Sequence, residues 1–152
     1  MKFLPRLLYQ LQRLRWRITH PITVGVRLLL IQGEQVLLIQ STYQNGWYLV
    51  GGGVQHNETL EEAARREAQE EVGATLGKLD LFGAYSNFYD FKNDHVAVFV
   101  CTDFTLTGQT DGEIQELQLF PLNDLPDDIA PGHKRRIQEY LEKPTTPRYG
   151  YW

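Results

Sequence analysis

The pattern of hydrophobic and polar residues predicts a chain in which strands outnumber helices. Alternating or continuous apolar runs predict strands over residues 22–31, 35–40, 47–50, 79–89, 95–104 and 113–120. Helical spacing predicts helices over residues 1–18, 60–72 and 133–141, and a polar turn is expected over 108–112. Since the helices fall at the start, middle and end of a strand-rich chain, this order predicts an α+β fold on a mixed sheet.

The ends of the middle helix are marked by specific residues. Thr59 is followed three positions later by Glu62, which is the spacing of a capping box, so the helix should begin near Leu60. Gly73 supplies a C-terminal stop, so the helix should end near Val72.

The first 18 residues predict a basic amphipathic helix. One face is apolar and carries Leu4, Leu7, Leu8, Leu11, Leu14 and Ile18. The opposite face carries Lys2, Arg6, Arg13 and Arg17, and Arg15 is an exception to the division. We expect this helix to pack on the domain or on a second subunit in a homodimer. Contact with a membrane surface is a less favoured alternative, and a cleaved presequence is the least favoured.

Length and composition indicate one domain. A chain of 152 residues with 42% hydrophobic residues fits a domain over 19–143, with a C-terminal tail over 144–152. The single cysteine, Cys101, lies in an apolar run and is expected in the core. The sequence has no apolar run of about 18 residues, so we expect no membrane span and a cytoplasmic location.

Three glutamates share one face of the middle helix. At about 100° per residue, Glu67, Glu70 and Glu71 fall within an arc of roughly 100°, on a helix that follows the run Gly51-Gly52-Gly53. Like charges so close repel, and a cation removes that penalty. Carboxylate oxygens suit Mg²⁺ or Mn²⁺, which bridge to substrate phosphates, and glycines let the backbone approach a ligand closely. The pattern therefore predicts a divalent-metal site beside a phosphate-binding loop.

The distribution of charge agrees with that prediction. Residues 1–33 carry six cations and no acid, whereas the rest of the chain carries nine cations and nineteen acids. A domain this acidic needs a metal ion to hold a polyanion. Basic patches for nucleic acid are missing from this part of the sequence, so no DNA partner is expected.

The joint spacing is more specific than either feature alone. Residues 52–74 fit the pattern G-x5-E-x7-R-E-U-x-E-E-x-G-U at its seven strict positions, which are Gly52, Glu58, Arg66, Glu67, Glu70, Glu71 and Gly73. A chance match in one window is below about one in 10⁸. The chain resembles the Nudix hydrolase superfamily, with a likeness that extends over about residues 20–142. Alanines replace the bulky aliphatics at Ala68 and Ala74, and Gln55 and Asn57 depart from common choices in the loop.

The resemblance implies an α/β/α sandwich and a set of roles. Glu67 and Glu71 would be the principal metal ligands, Glu70 a ligand or base, and the carbonyl of Gly51 an additional ligand. Arg66 would pair with Glu58 and Glu70. The general base is open between two residues of the last strand, Glu113 and Glu116, and we favour Glu116.

The implied reaction is Mg²⁺- or Mn²⁺-dependent hydrolysis of a nucleoside diphosphate linked to another group. Gly52 and Gly53 are expected beside the phosphates, and Trp47 and Tyr85 are expected to stack on a base, although aromatic residues on strands are more often core residues. The substrate should be a small nucleotide, with the group beyond the diphosphate left open. The alternative is a sensor that binds a nucleotide sugar on the same fold without cleaving it.

Overall fold

The computed structural model describes residues 3–89, 91–107, 110 and 112–152. In chain order its elements are α1 (Phe3–Thr19), β1 (Ile22–Gln32), β2 (Gln35–Ser41), β3 (Tyr48–Leu49), α2 (Leu60–Val72), β4 (Ala74–Leu76), β5 (Asp80–Tyr89), β6 (Lys92–Cys101), β7 (Phe104–Leu106), β8 (Ile114–Pro121), α3 (Pro131–Leu141) and β9 (Arg148–Tyr151). Of the predicted turn at 108–112, residues 108, 109 and 111 lie outside the described residues, as does Lys2 of the first helix.

The strands form one large mixed sheet and one small one. The large sheet runs β3-β2-β1-β6-β5-β9, and β8 also pairs with β2. β1 pairs with β6 and β5 pairs with β9 in parallel, whereas the remaining ladders of this sheet are antiparallel. β4 and β7 form a separate antiparallel pair. The predicted α+β class with a mixed sheet is therefore confirmed.

Alternating side chains of β1 enter cores on both faces of the sheet. Val26, Leu28 and Leu30 pack with the alanines of α2 on one face. Leu29 and Ile31 pack with Ile137 of α3 on the other face. A helix covers the core on each face of the sheet. β1 is therefore buried on both sides and can be apolar at nearly every position, as buried strands are. This arrangement is the expected sandwich of helices around a sheet.

The predicted bounds of α2 are confirmed by its caps. The hydroxyl of Thr59 accepts the N–H of Glu62, and the Glu62 carboxylate accepts the N–H of Thr59, so the capping box is complete. Gly73 ends the helix with φ of 60° in the left-handed region, which costs a glycine little. Ala63, Ala64 and Ala68 are fully buried, so this helix lies close against the sheet.

Two sequence-based assignments need correction. The predicted strand over 95–104 is two strands, because β6 starts at Lys92 and ends at Cys101, and β7 follows after a bend. Residues 144–152 are more than a tail, because β9 joins the large sheet as an edge strand along β5. Two prolines obscured this short strand in the sequence, since proline disfavours strand pairing.

The first helix is present as predicted, but its apolar face does not pack on the domain as expected, and packing on a second subunit stays a prediction. Leu8, Leu11, Leu14 and Ile18 are between 56% and 78% exposed, so the described part of the apolar face does not pack on the domain. Among the described residues, no helix is long and apolar enough to cross a membrane.

Candidate active site

The glycine loop lies along the edge of β1 as an irregular extra strand. Val26 donates its N–H to the carbonyl of Gly52 at 2.9 Å, and Leu28 donates to Val50 at 2.9 Å. Gly51 has φ of 136°, and a Cβ at this position would overlap the carbonyl oxygen of Val26. Only glycine fits there, for both conformational and steric reasons.

α2 presents two glutamates to this loop. A Cβ on Gly52 would lie 2.6 Å from Oε1 of Glu67, so that carboxylate occupies the space beside the glycine. Glu71 accepts the N–H of Gly51 through Oε2 at 2.8 Å. The small alanines of α2 allow this approach, because they hold the helix close to the sheet. The loop and the helix therefore position each other.

Arg66 is the centre of an ion-pair network. Its Nε donates to Oε1 of Glu58 at 2.7 Å, and its Nη1 donates to Glu67 at 2.7 Å and to Glu70 at 3.0 Å. Nη2 donates to the carbonyl of Gly53 at 2.9 Å and to Glu58. The expected pairs with Glu58 and Glu70 are present, and those with Glu67 and Gly53 are additional.

This network shifts the pKa values of Glu58 and Arg66. The hydrogen bond from Arg66, with a further one from the backbone of Gln55, lowers the pKa of Glu58. The hydrogen bond to Glu58 is also the largest cause of a raised pKa at Arg66, and burial opposes it. Both groups are therefore held in their charged forms. The guanidinium can fix the carboxylate of Glu67 without losing its proton.

The three glutamates predicted to share one face of α2 are not equivalent. Glu67 is 12% exposed and lines a cavity of about 280 Å³ together with Glu71 and the glycine loop. Glu70 is 52% exposed and bonds to the outer side of the network, and it does not line this cavity.

Of the two candidate bases, Glu113, which directly precedes β8, lines this cavity, and the favoured Glu116 is not among its lining residues. Glu113 lines the cavity beside Glu67 and Glu71. Glu116 is exposed and pairs with Gln40 on β2, while the next residue, Leu117, packs on the core that contains α2. Because neighbouring strand residues face opposite sides, Glu116 points away from α2. The register shift at Gln40/Ser41 makes such a count unreliable from sequence alone.

Arg27 is a residue of the site that sequence analysis missed. Its Nη1 donates to the carbonyls of Gly51 and Leu49, and its side chain lines the cavity of the glycine loop. The carbonyl of Gly51, expected to bind metal, thus accepts a guanidinium hydrogen bond. The sequence did contain a signal for Arg27, because it is a single arginine inside the apolar run of β1. A charged side chain in a largely buried strand needs a specific partner.

Arg27 also lines a second, larger cavity of about 550 Å³, which continues from the first past Tyr48. Its wall is aromatic and polar, with charges of both signs, and it includes Trp16, Tyr48, Tyr89, Lys92, Asp94, His133 and Trp152. Tyr48 and Arg27 are common to both cavities, so the two form one cleft. The cleft therefore offers oxygen ligands at one end and flat apolar surfaces at the other.

His133 supports the second cavity in its neutral form. Its Nδ1 accepts the backbone N–H of Leu49 at 3.0 Å, which requires an unprotonated nitrogen. Burial lowers the pKa of His133 well below its ordinary value of 6.5, and the positive charges of Arg27 and Arg136 lower it further. Trp152 packs edge-on against the ring, with centroids 5.0 Å apart.

The structure corrects the assignment of Trp47 and Tyr85 to substrate stacking. Trp47 is 6% exposed and packs edge-on against Phe120 within the core. Tyr85 is 3% exposed, its hydroxyl donates to Glu139 at 2.8 Å, and the guanidinium of Arg136 covers its ring. Both rings already have protein partners on their faces or edges, so neither is free to stack on a base.

The donor set of the first cavity fits a hard divalent cation. Within the described part of the chain, no three His, Cys, Asp or Glu side chains lie close enough together to hold a metal ion as they stand. The chemistry is nevertheless suitable, because the carboxylates of Glu67, Glu71 and Glu113 line one cavity and outnumber the guanidinium of Arg27 there. Oxygen ligands with excess negative charge suit Mg²⁺ or Mn²⁺ and disfavour softer metals.

Comparison with known proteins places this site in context. A family model described as NUDIX domain matches residues 19–140. An ADP-ribose pyrophosphatase of Methanocaldococcus jannaschii is 31% identical over 127 residues, which are 80% of this chain and 74% of that protein. The m7GpppN-mRNA hydrolase dcap-2 of Caenorhabditis elegans is 32% identical over 117 residues, covering 70% of this chain but only 14% of that protein.

A solved structure supports the same fold. The crystal structure of a MutT NUDIX hydrolase from Burkholderia pseudomallei superposes with a TM-score of 0.70 and covers 77% of this chain and 96% of that one. Its sequence identity is 22%, so the likeness concerns the fold.

Proposed function

Because the chain belongs to the NUDIX family, we propose that it hydrolyses the diphosphate bond of a nucleoside diphosphate linked to another group, with Mg²⁺ or Mn²⁺. The observation that carries this proposal is the cavity at the glycine loop, which is lined by Glu67, Glu71, Glu113 and Arg27. An acidic cavity with one arginine suits a metal–diphosphate complex better than either the metal or the anion alone.

Glu67 and Glu71 are the proposed principal metal ligands, with Glu113 as a further ligand or base. A bound divalent cation would neutralise phosphate oxygens and lower the pKa of water. The carboxylate of Glu67 is oriented by Arg66, and that of Glu71 by the N–H of Gly51. Such outer contacts fix ligand orientation, and their loss typically reduces metal affinity or activity 10- to 100-fold.

The remaining residues of the cleft supply binding and proton transfer. Arg27 presents a guanidinium to one end of the diphosphate, and its bonds to the carbonyls of Leu49 and Gly51 keep it in place. Glu113 is the proposed acceptor of a proton from the attacking water, because it lines the cavity together with Glu67 and Glu71. Glu70 is proposed to act through Arg66, since its own carboxylate lies outside the cavity.

The second cavity favours a substrate with a flat, polar group beyond the diphosphate. Tyr48 and Trp152 provide aromatic surface, and Lys92 and Asp94 provide polar ends. We propose a nucleotide-sugar or ADP-ribose type of substrate, in keeping with the relative from Methanocaldococcus jannaschii. A free nucleoside triphosphate would leave much of this volume unused.

Phosphate or nucleotide release from a panel of nucleotides tests the proposal. The panel should include ADP-ribose, nucleotide sugars and nucleoside triphosphates, each with Mg²⁺, with Mn²⁺ and with chelator. We expect metal-dependent release, and we expect Glu67→Gln to reduce it by about 10²-fold or more. The matched control is Glu61→Gln on the same helix, because Glu61 is exposed and pairs with Arg65 on the outer surface. Ligand binding without turnover by any panel member would instead favour the sensor.

A second pair of variants tests which carboxylate acts as the general base, Glu113 or Glu116. Glu113→Gln should lower kcat by about 10²-fold. Glu116→Gln on the same strand should stay within about threefold of wild type, because an exposed strand carboxylate on the other face has no part in the chemistry. The reverse result would return the role to Glu116.

A further inference from the structure

The first helix is oriented with its apolar face toward solvent. The described residues of that face, Leu8, Leu11, Leu14 and Ile18, are 57%, 56%, 58% and 78% exposed. We refer to these four residues as the leucine stripe. Soluble domains rarely leave a contiguous apolar row uncovered, and such rows usually mark an interaction surface.

The other side of the helix is the one that contacts the domain. Trp16 is half-buried, and the ammonium of Lys92 lies 4.5 Å from the centre of its ring. The guanidinium of Arg17 lies 5.7 Å from the centre of the Phe91 ring. These cation–π contacts attach the helix by its polar side. The exposure of the stripe is therefore a consequence of how the helix is held.

The positive charge around the leucine stripe indicates which kind of partner can cover it. Residues 1–33 carry six cations and no acid, although the chain as a whole has a net charge of −4. Arg15 is exposed on the same face as the stripe, whereas Arg17 lies on the side that faces Phe91. A partner must therefore offer apolar material beneath a negatively charged surface. An anionic bilayer has this profile, with acyl chains below phosphate and carboxylate headgroups.

A second copy of this chain fits less well. Two such helices facing each other would bring their arginines together. A specific protein interface also uses about 20–30 residues on each side, whereas the stripe offers four described side chains on one short helix. Insertion of a few apolar side chains with flanking arginines at the headgroups is the ordinary way that an interfacial helix binds.

We propose that α1 docks the protein on anionic membrane surfaces, with the leucine stripe inserted between headgroups. This inference is independent of the reaction proposed above. It also gives a physical role to a segment that precedes the region matched by the family model, residues 19–140.

Sedimentation of the full chain with lipid vesicles tests this proposal. The vesicles are phosphatidylcholine alone, or phosphatidylcholine with about one third phosphatidylserine. We expect binding to the anionic vesicles only, and weaker binding at about 0.5 M salt than at about 0.1 M, because salt screens the headgroup charge. No binding to the anionic vesicles at low salt would overturn the proposal.

Two α1 variants and a control separate the contribution of the apolar side chains to vesicle binding from that of Arg15. Substituting Leu8, Leu11 and Leu14 together by Gln preserves helix propensity and charge, and it should reduce vesicle binding at least tenfold. Arg15→Gln should reduce binding about fivefold. The control, Gln12→Ala, changes an exposed residue between these positions and should bind like wild type.

Three measurements distinguish membrane insertion from unfolding and from dimerisation. All variants should keep the thermal unfolding midpoint of wild type, because the changed side chains are exposed. Equal vesicle binding by the triple Gln variant and wild type would contradict insertion of the stripe. A dimer by sedimentation equilibrium, dissociated by the triple variant and insensitive to anionic lipid, would overturn the proposal in favour of a second copy.

Discussion

Substitution of Gly52 by alanine should separate stability from activity at the candidate site. The added methyl group would lie 2.6 Å from Oε1 and 2.7 Å from Cδ of Glu67. The backbone of Gly52 is not in the left-handed region, so alanine can adopt it. The side chain of Glu67 is the flexible partner in this overlap, and we expect it to swing away while the loop stays in place.

The expected change in the free energy of unfolding is small. Displacing Glu67 removes one of the carboxylates on Arg66, which keeps Glu58, Glu70 and the carbonyl of Gly53 as partners. Loss of one partly exposed ion pair costs up to about 1 kcal/mol. Replacing glycine by alanine in an allowed conformation gives back about 0.4–1 kcal/mol by restricting the unfolded chain. The two effects nearly cancel, so Tm should change by less than about 4 °C.

Activity should respond much more strongly. A shift of about 1 Å in a catalytic geometry can reduce the rate about 10²-fold. If Glu67 holds a metal ion, the loss should appear first as a higher metal concentration for half-maximal rate, so excess Mg²⁺ should restore part of it. The assay is the nucleotide panel with metal titration, together with thermal unfolding of the same samples.

Gly53→Ala is the comparison variant for this experiment. A Cβ at Gly53 meets no atom within 4 Å, so this methyl group should displace nothing in the free protein. We expect a smaller loss of activity than for Gly52→Ala and no change in metal requirement. Equal activity of Gly52→Ala and wild type, with an unchanged metal titration, would refute the link between this glycine, Glu67 and metal.

Three further predictions concern folding. Gly51→Ala should destabilise the protein by about 3 kcal/mol or more, because the added methyl group overlaps the carbonyl of Val26 and because the φ of Gly51 disfavours any side chain. A Tm near that of wild type would contradict this steric argument. His133 stays neutral in the folded protein, whereas in the unfolded chain it binds a proton below about pH 6.5. The free energy of unfolding should therefore fall as the pH drops from 6.5 to 5, by up to about 1.4 kcal/mol per pH unit. His133→Gln should remove this pH dependence when the free energy is measured by denaturant titration. Trp152→Ala should lower the free energy of unfolding by about 2 kcal/mol in urea titrations, because the half-buried ring of Trp152 packs on His133. An unchanged free energy would show that this ring contact does not stabilise the docking of β9.

The sequence by itself determined the local features of this protein. The caps of α2 depend on Thr59, Glu62 and Gly73, which act within a few residues, so the helix could be bounded to the residue. Hydrophobic periodicity gave most strands, and the joint spacing of glycines, glutamates and Arg66 indicated the family. These signals are readable because each depends on neighbours along the chain.

The tertiary structure decided which side chains meet. Arg27 reaches the glycine loop because β1 lies beside it, and no local pattern states that proximity. Glu113 rather than Glu116 lines the cavity because the pairing of β8 with β2, two strands far apart in sequence, sets which side of β8 faces α2. Aromatic residues such as Tyr85 look alike in a sequence whether they line a cleft or fill a core. Their burial is set by the packing of distant elements, and so is the outward face of α1.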